Sequence, residues 1–179
     1  MKSRKSGGIL DAEFLNRPTL IVAEALLGNH LCRKIQGKVE RHVITEVEAY
    51  DGFEDKASHA HKGKTPRNNV MFGPAGHWYV YLCYGMHWLL NIVTGAENYP
   101  AAILFRGLDK VSGPGRITKA LQIDGSLNQK ACQEKTGLWM ESSGQRVSPV
   151  NIERMPRVGI DYAGPDWSQK PYRFVIRDR

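Results

Sequence analysis

The alternating run from Val39 to Tyr50 constrains this chain more than any other stretch. Written as a strand, it points Val43, Thr45, Val47 and Ala49 to one side and Ile44, Glu46, Glu48 and Tyr50 to the other. The first side is small or β-branched and suits a core. The second ends in two carboxylates and a phenol. Acids are depleted in strands, so two on one face need a reason. One reason is the solvated face of an antiparallel sheet. The other is a carboxylate aimed into a cleft and held there by a rigid strand.

The rest of the chain surrounds that run with short elements. Residues 1–8 read as a loose basic tail, and residues 9–179 as a single domain. Ile9 to Asn16 holds a short helical turn. Pro18 to Leu27 is a clearer helix, with Pro at its start and Gly28 as its stop. Leu31–Ile35 pairs with Val39–Tyr50 through Gln36-Gly37. Asp51 to Phe72 is a long polar loop carrying Lys62, Lys64 and Arg67; a loop of that length is usually functional or mobile. Trp78–Cys83 and Trp88–Thr94 form a hairpin around Tyr84-Gly85-Met86-His87. Its tip is apolar where water is expected, so it either folds back onto the body or enters something apolar, such as a base stack. Ala101–Leu108 is a further strand, with Arg106 near its end. Ser112-Gly113-Pro114-Gly115 opens a helix to about Leu121. That start suits a phosphate, with Arg116 beside it, and is equally an ordinary helix start. Leu138–Met140 and Pro171–Ile176 close the sheet, with a Gly/Pro-rich loop at Val158–Pro165. The class is mixed α/β (α+β), a single domain.

Charge and cysteine usage narrow the function classes. Lys plus Arg number 25 against 18 acids, a formal net charge of +7. This favours polyanionic partners. The three cysteines, Cys32, Cys83 and Cys132, are widely spaced, and no C-x-x-C occurs. That argues for a reducing compartment and against a disulfide frame or thiolate zinc site. No apolar run approaches the ~20 residues of a membrane span. The expectation is a cytoplasmic, nucleoid-associated protein without a membrane partner.

Motif support for most chemistries is lacking. His59 and His61 form an H-x-H, but no third ligand stands at a usual spacing, so no metal is expected. Neither G-x-S-x-G, a Walker A loop nor G-x-G-x-x-G occurs. There remain an unpaired strand carboxylate, the tyrosines Tyr50, Tyr79, Tyr81 and Tyr84, Asn91, Arg106 and a basic loop. Aromatics among Lys and Arg suit a protein that stacks on bases while holding phosphates. Tyrosines also favour strands for no functional reason.

Four passages, in order along about residues 10–177, resemble the alkyladenine (3-methyladenine) DNA glycosylase family. The first is Glu46-Val47-Glu48-Ala49-Tyr50 with the His59 loop and Thr65-Pro66-Arg67-Asn68. The second runs from Tyr79-Val80-Tyr81 through Tyr84-Gly85-Met86 to Asn91. The third is Ser112-Gly113-Pro114. The fourth is Arg157-Val158-Gly159 with Lys170-Pro171 and Arg173-Phe174. The resemblance implies a curved antiparallel sheet with a protruding hairpin and flanking helices. It implies no cofactor and no metal. Glu48 would be the general base that activates water, with Glu46 as second choice. Arg106 and the carbonyl of Val158 would help hold that water. Tyr50, His59 and Tyr81 would enclose a flipped base, and Asn91 would screen against guanine. Tyr84, with Met86, would fill the gap in the duplex. Lys62, Lys64, Arg67, Ser112, Gly113 and Arg116 are candidates for the DNA backbone.

The implied activity is monofunctional base excision repair, since no lysine stands beside Glu48 in the motif. The chain would act as a monomer on double-stranded DNA with a damaged purine (3-methyladenine, 7-methylguanine, hypoxanthine or ethenoadenine). A non-catalytic nucleic-acid-binding module is the alternative. Two departures stand out: the connection Leu108–Val111 is shorter than the family's helical segment, and His87 replaces an aromatic after Met86.

Overall fold

Strand β2 (Lys38–Asp51) is the spine of the structure, a computed structural model that describes residues 7–177. Met1 to Ser6, most of the expected basic tail, lie outside the described residues. Gly7 and Gly8 are already paired with Ser142 through backbone bonds of 2.9 and 2.7 Å.

The first half of β2 pairs antiparallel with β1 (His30–Ile35) across the Gln36-Gly37 turn, where both residues take positive φ. A positive φ at both turn positions gives the twist that suits a two-residue hairpin. The second half pairs with β5 (Ala101–Leu108) on one edge and β9 (Arg173–Ile176) on the other. Outward from β5 lie β4 (His87–Val93) and β3 (Trp78–Cys83). Outward from β1 lies β7 (Leu138–Glu141). Two short strands complete the sheet: β6 (Val111–Ser112) turns back on β5, and β8 (Ile152–Met155) pairs with β9. The fold is α+β, and among the described residues the sheet is antiparallel, unclosed and nine-stranded.

Period two then sorts the four strands β3, β4, β5 and β2 into two faces. One face sends Trp78, Val80, Leu90, Ile92, Ile103, Phe105, Val47 and Ala49 into the main core. Helices α1 (Ala12–Leu15), α2 (Thr19–Leu26) and α3 (Pro114–Ala120) cover it with Phe14, Leu15, Val22, Leu26 and Ile117. Full burial of such a side chain is worth about 2–3 kcal/mol. Trp78 keeps its indole N–H satisfied by donating to the Leu138 carbonyl at 3.2 Å.

Strict alternation fails at one place. Ile44 belongs to the core with Val47 and Ala49, not to the carboxylate face. The register with β5 shifts between Ile44 and Glu46 and again before Val47, which marks a β-bulge. An extra residue in one strand resets which face follows, so Ile44 and Glu48 part company. Gly107 makes room for the bulge: a Cβ there would lie 2.8 Å from the Glu46 Cβ and 2.9 Å from the Thr45 Oγ1.

Other elements differ from expectation in ways that local sequence hides. Gly164 and Pro165, the end of the expected Val158–Pro165 loop, instead open helix α4 (Gly164–Gln169). The shortened connection after β5 is a tight turn at Asp109-Lys110 leading into β6. The 51–72 loop is structured. Asp55, Ala57, Ser58, Ala60 and Asn68 are buried in it, and Asn69–Phe72 closes it as a 3-10 turn. Among the described residues, no helix is long and apolar enough to cross a membrane.

Candidate active site

The second face of β3, β4, β5 and β2 is the floor of a cavity of about 600 Å³. Its residues form a row in register: Tyr79 opposite Asn91, Asn91 opposite Leu104, Leu104 opposite Glu48, and Glu48 opposite Arg173. One step along the strands, Tyr50 faces Ala102, which faces Val93. Neighbouring strands lie about 4.8 Å apart, so Asn91 and Glu48 stand roughly 10 Å from each other across the floor. Ala102 and Leu104 keep the floor low between the taller tyrosines.

Glu48 is fully buried, and the strand carboxylate is not unpaired. Its Oε2 accepts from the Tyr50 hydroxyl at 2.9 Å. Its Oε1 accepts from the Val158 backbone N–H at 2.8 Å and lies 3.4 Å from the Arg106 Nε. Tyr50, Val158 and Arg106 all line the cavity, so the carboxylate stands one layer behind its wall. Burial pushes the Glu48 carboxyl above its usual range, while Arg106, the Val158 amide and Tyr50 pull the other way. Burial also holds the Tyr50 phenol well above its ordinary value, so it stays a donor. Glu46 is spoken for: its Oε1 accepts from Arg106 at 3.3 Å and from Arg173 at 3.0 Å.

The opposite wall is aromatic. His59 lies edge-on to Tyr81 with ring centroids 4.6 Å apart, and its Nδ1 meets the Tyr79 hydroxyl at 2.9 Å. Burial, with Arg67 nearby, lowers the His59 pKa, which favours a neutral ring. His61 turns elsewhere, its Nδ1 on the Phe53 carbonyl at 3.0 Å. Among the described residues, no cluster of three or more His, Cys, Asp or Glu side chains is placed to hold a metal. Asn68 holds the loop in shape by donating to the carbonyls of His59 and Gly63, each at 2.9 Å. Asn91 donates to the Tyr79 carbonyl at 3.1 Å and presents to the cavity while nearly fully buried.

The hairpin tip does not fold back. Tyr84 is 90% exposed and Met86 71%. Tyr84 and Gly85 both take positive φ, which turns the chain within three residues. The N-terminus of α3 packs beside the base of the hairpin: a Cβ on Gly115 would come within 3.1 Å of His87. Ser112 and Arg116 are exposed there, and Gly113 donates to the Arg106 carbonyl at 2.7 Å. Lys62 and Lys64 are exposed, with the Lys64 Nζ 5.6 Å from the Phe72 ring centroid. Arg67 differs from the other basic candidates. It lines the cavity, donates to the Leu82 carbonyl at 3.0 Å and lies over Tyr81 at 5.3 Å.

Sequence reasoning gave no role to three further residues. Tyr162, 70% exposed at the cavity mouth, donates to the Ala57 carbonyl at 2.9 Å. Asp55 and Arg157 form a buried bidentate pair at 2.6 and 2.8 Å. Polar side chains 102 residues apart carry no periodic signal that would have paired them.

The chain matches the methylpurine-DNA glycosylase (MPG) family over residues 13–112 and 108–179, two segments that meet at the β5–β6 turn. It is 42% identical to a Myxococcus xanthus protein named "Putative 3-methyladenine DNA glycosylase", covering 94% of this chain and 90% of that protein. Proteins of the same name from Methanocella arvoryzae and Legionella pneumophila are 41% and 39% identical. They cover 95% and 94% of this chain, and 93% and 94% of their own lengths. With match and geometry together, the chain belongs to the methylpurine-DNA glycosylase family, DNA-repair hydrolases that act on N-glycosyl bonds in DNA.

Proposed function

We propose that residues 9–179 act as one catalytic domain, a monomer at the nucleoid. It flips a damaged purine out of duplex DNA and hydrolyses its N-glycosidic bond. The observation that carries this reading is the row that ends on Glu48, behind a cavity walled by Tyr50, His59 and Tyr81 and flanked by the exposed Tyr84.

The chemistry follows from the bond. The sugar becomes cationic as the base departs. Water adds its oxygen to C1′, the bonding pair leaves with the base, and Glu48 takes the water's proton. Ionised Glu48 also offsets the positive sugar. Arg106 keeps Glu48 ionised against the cost of burial and, with the Val158 carbonyl, holds the water. Alkylation at N3 or N7 makes the base cationic, so it leaves without an acid, and the faces of Tyr50 and Tyr81 attract it. Damaged purines of the 3-methyladenine, 7-methylguanine, hypoxanthine and ethenoadenine class also pair or stack poorly, which lowers the few kcal/mol that flipping costs. His59 encloses the flipped base beside Tyr81, and Asn91 screens the exocyclic edge of guanine. Tyr84 and Met86 fill the vacated stack. Lys62, Lys64, Ser112, Gly113 and Arg116 contact phosphates. Arg67 supports the Tyr81 wall, with a phosphate contact in reach. Among the described residues no lysine lines the cavity, which supports water as the nucleophile and an abasic site as the product.

Glu48→Gln tests the reading on methylated duplex DNA. Base release is expected to fall by about a thousandfold or more, with binding to an abasic-site analogue retained. Wild-type release by this variant would leave only a binding module. A nucleoside hydrolase would ignore salt, whereas a duplex enzyme loses affinity steeply as salt rises.

A further inference from the structure

Arg157 combines a forked carboxylate pair, a backbone bond and two aromatic contacts, while its buried Nε has no hydrogen-bond partner among the described residues. Its Nη1 and Nη2 fork onto the Asp55 carboxylate, and Nη1 also donates to the Ala49 carbonyl at 2.9 Å. Its planar centre lies 4.7 Å from the Tyr50 ring centroid and 5.2 Å from that of Tyr172. The side chain is wholly buried, as is that of Asp55. Asp55 in turn accepts from the backbone N–H groups of Asp51 and Ala57, each at 3.0 Å. The pair thus ties three segments together: the end of β2, the loop after it, and the loop after β8.

Those are the segments that dress Glu48. Ala49, gripped by Arg157, lies between Glu48 and Tyr50. Val158, whose amide caps the Glu48 Oε1, is the residue after Arg157. Tyr50, whose hydroxyl caps the Glu48 Oε2, has its ring against the guanidinium. Arg157 does not line the cavity while Tyr50 does, so the cation backs the ring from behind. We propose that Asp55 and Arg157 form a positioning pair for this site, setting the Tyr50 hydroxyl and the Val158 amide on the two oxygens of Glu48. Neither touches the substrate.

The inference rests on Glu48 being the base. Arg157 itself lowers the Glu48 pKa as a nearby cation, a charge that Arg157→Lys retains; the other groups facing Glu48 are Arg106 from β5, Glu46 and Tyr50 on its own strand, Arg173 opposite it on β9, and the Tyr162 phenol after β8. Changing the pair leaves the chemical identity of every one of these intact and alters only the placement of Tyr50 and of the Val158 amide.

The test uses Asp55→Asn and Arg157→Lys. The first keeps the side chain's size, and the second keeps the charge while losing the planar fork. Single-turnover release of 7-methylguanine from duplex DNA is followed against pH; the methyl fixes the base's charge, so the acid limb reports on the protein. Both variants are expected to lose about a hundredfold in rate. Their acid limb should move up by about one pH unit, because Glu48 loses well-placed donors. Binding to an abasic-analogue duplex should be largely unchanged. An acid limb at the wild-type position, with rate tracking only the folded fraction, would reduce the pair to a structural brace and overturn the proposal. If both variants fail to fold, NMR of the wild-type chain decides. The Val158 amide and Arg157 guanidinium signals should titrate with one midpoint, and Glu48→Gln should remove that step. No such shared step would overturn the proposal as well. Failure of the base assignment reads differently: Glu48→Gln then releases base at the wild-type rate, whatever the pair does.

Discussion

The Tyr50 hydroxyl donates to the Oε2 of Glu48 at 2.9 Å, which ties the ring that walls the cavity to the carboxylate behind it. Burial raises the Glu48 pKa, and Tyr50 is one of the groups that oppose this. Tyr50→Phe keeps the ring and removes the donor. The acid limb of base release should therefore shift to higher pH, with substrate binding little affected. A pH–rate profile of the purified variant checks this, and an unmoved limb would mean the hydroxyl does not tune the base.

Glu48→Gln should not weaken the fold. A carboxyl whose pKa is higher folded than unfolded stabilises fully below its ordinary value, and that contribution is lost as pH rises through the folded value. At neutral pH the wild-type chain thus carries a buried charge that glutamine lacks, while Arg106 keeps Glu46 as partner. The variant's Tm should equal or exceed wild type at neutral pH, and the gap should close as the solution is made acid. Thermal melts across pH measure it; a gap that widens on acidification would reverse the assignment.

Tyr84→Ala should leave stability within about 0.5 kcal/mol of wild type, because the side chain is exposed. Base release from fully paired duplex should slow by about tenfold or more, since nothing then fills the vacated stack. Release from a single-stranded lesion should suffer much less. Equal losses on both substrates would argue against a wedge.

Gly107→Ala probes the bulge. The added methyl would meet the Glu46 Cβ at 2.8 Å, the Thr45 Oγ1 at 2.9 Å and the Glu46 backbone N at 3.4 Å, and the Cβ cannot swing away. A cost of about 1–3 kcal/mol is expected, together with a lower rate, because the shift reaches Glu46 and through it Arg106. Denaturant melts and single-turnover assays on the same preparation separate the two effects.

Much of this site was legible in the chain. Strict alternation in Trp78–Cys83 and in the stretch from Val47 to Tyr50 is enough to put Tyr79, Tyr81, Glu48 and Tyr50 on faces that could share a cavity. What alternation could not show is where it breaks: Ile44 changes sides at a bulge whose enabling residue, Gly107, lies on another strand. Short elements were also hidden. Two residues of β6 and four of β8 are too few to show a period, and Gly164-Pro165 at the start of α4 reads locally as a turn. The pairing of Asp55 with Arg157 and the reach of Tyr162 to Ala57 are products of tertiary folding alone. So is the sealing of Glu48, which the sequence presents only as one of two acids on a strand face.

The strand bearing Glu48 meets its outer neighbour, Arg173–Ile176, only after more than a hundred intervening residues. During synthesis, a ribosome would deliver the flank at Glu46 to Glu48 long before the segment that covers it. An immature chain would therefore hold this flank of the candidate site open at one edge. Docking of that late segment, rather than any earlier pairing, closes this edge of β2.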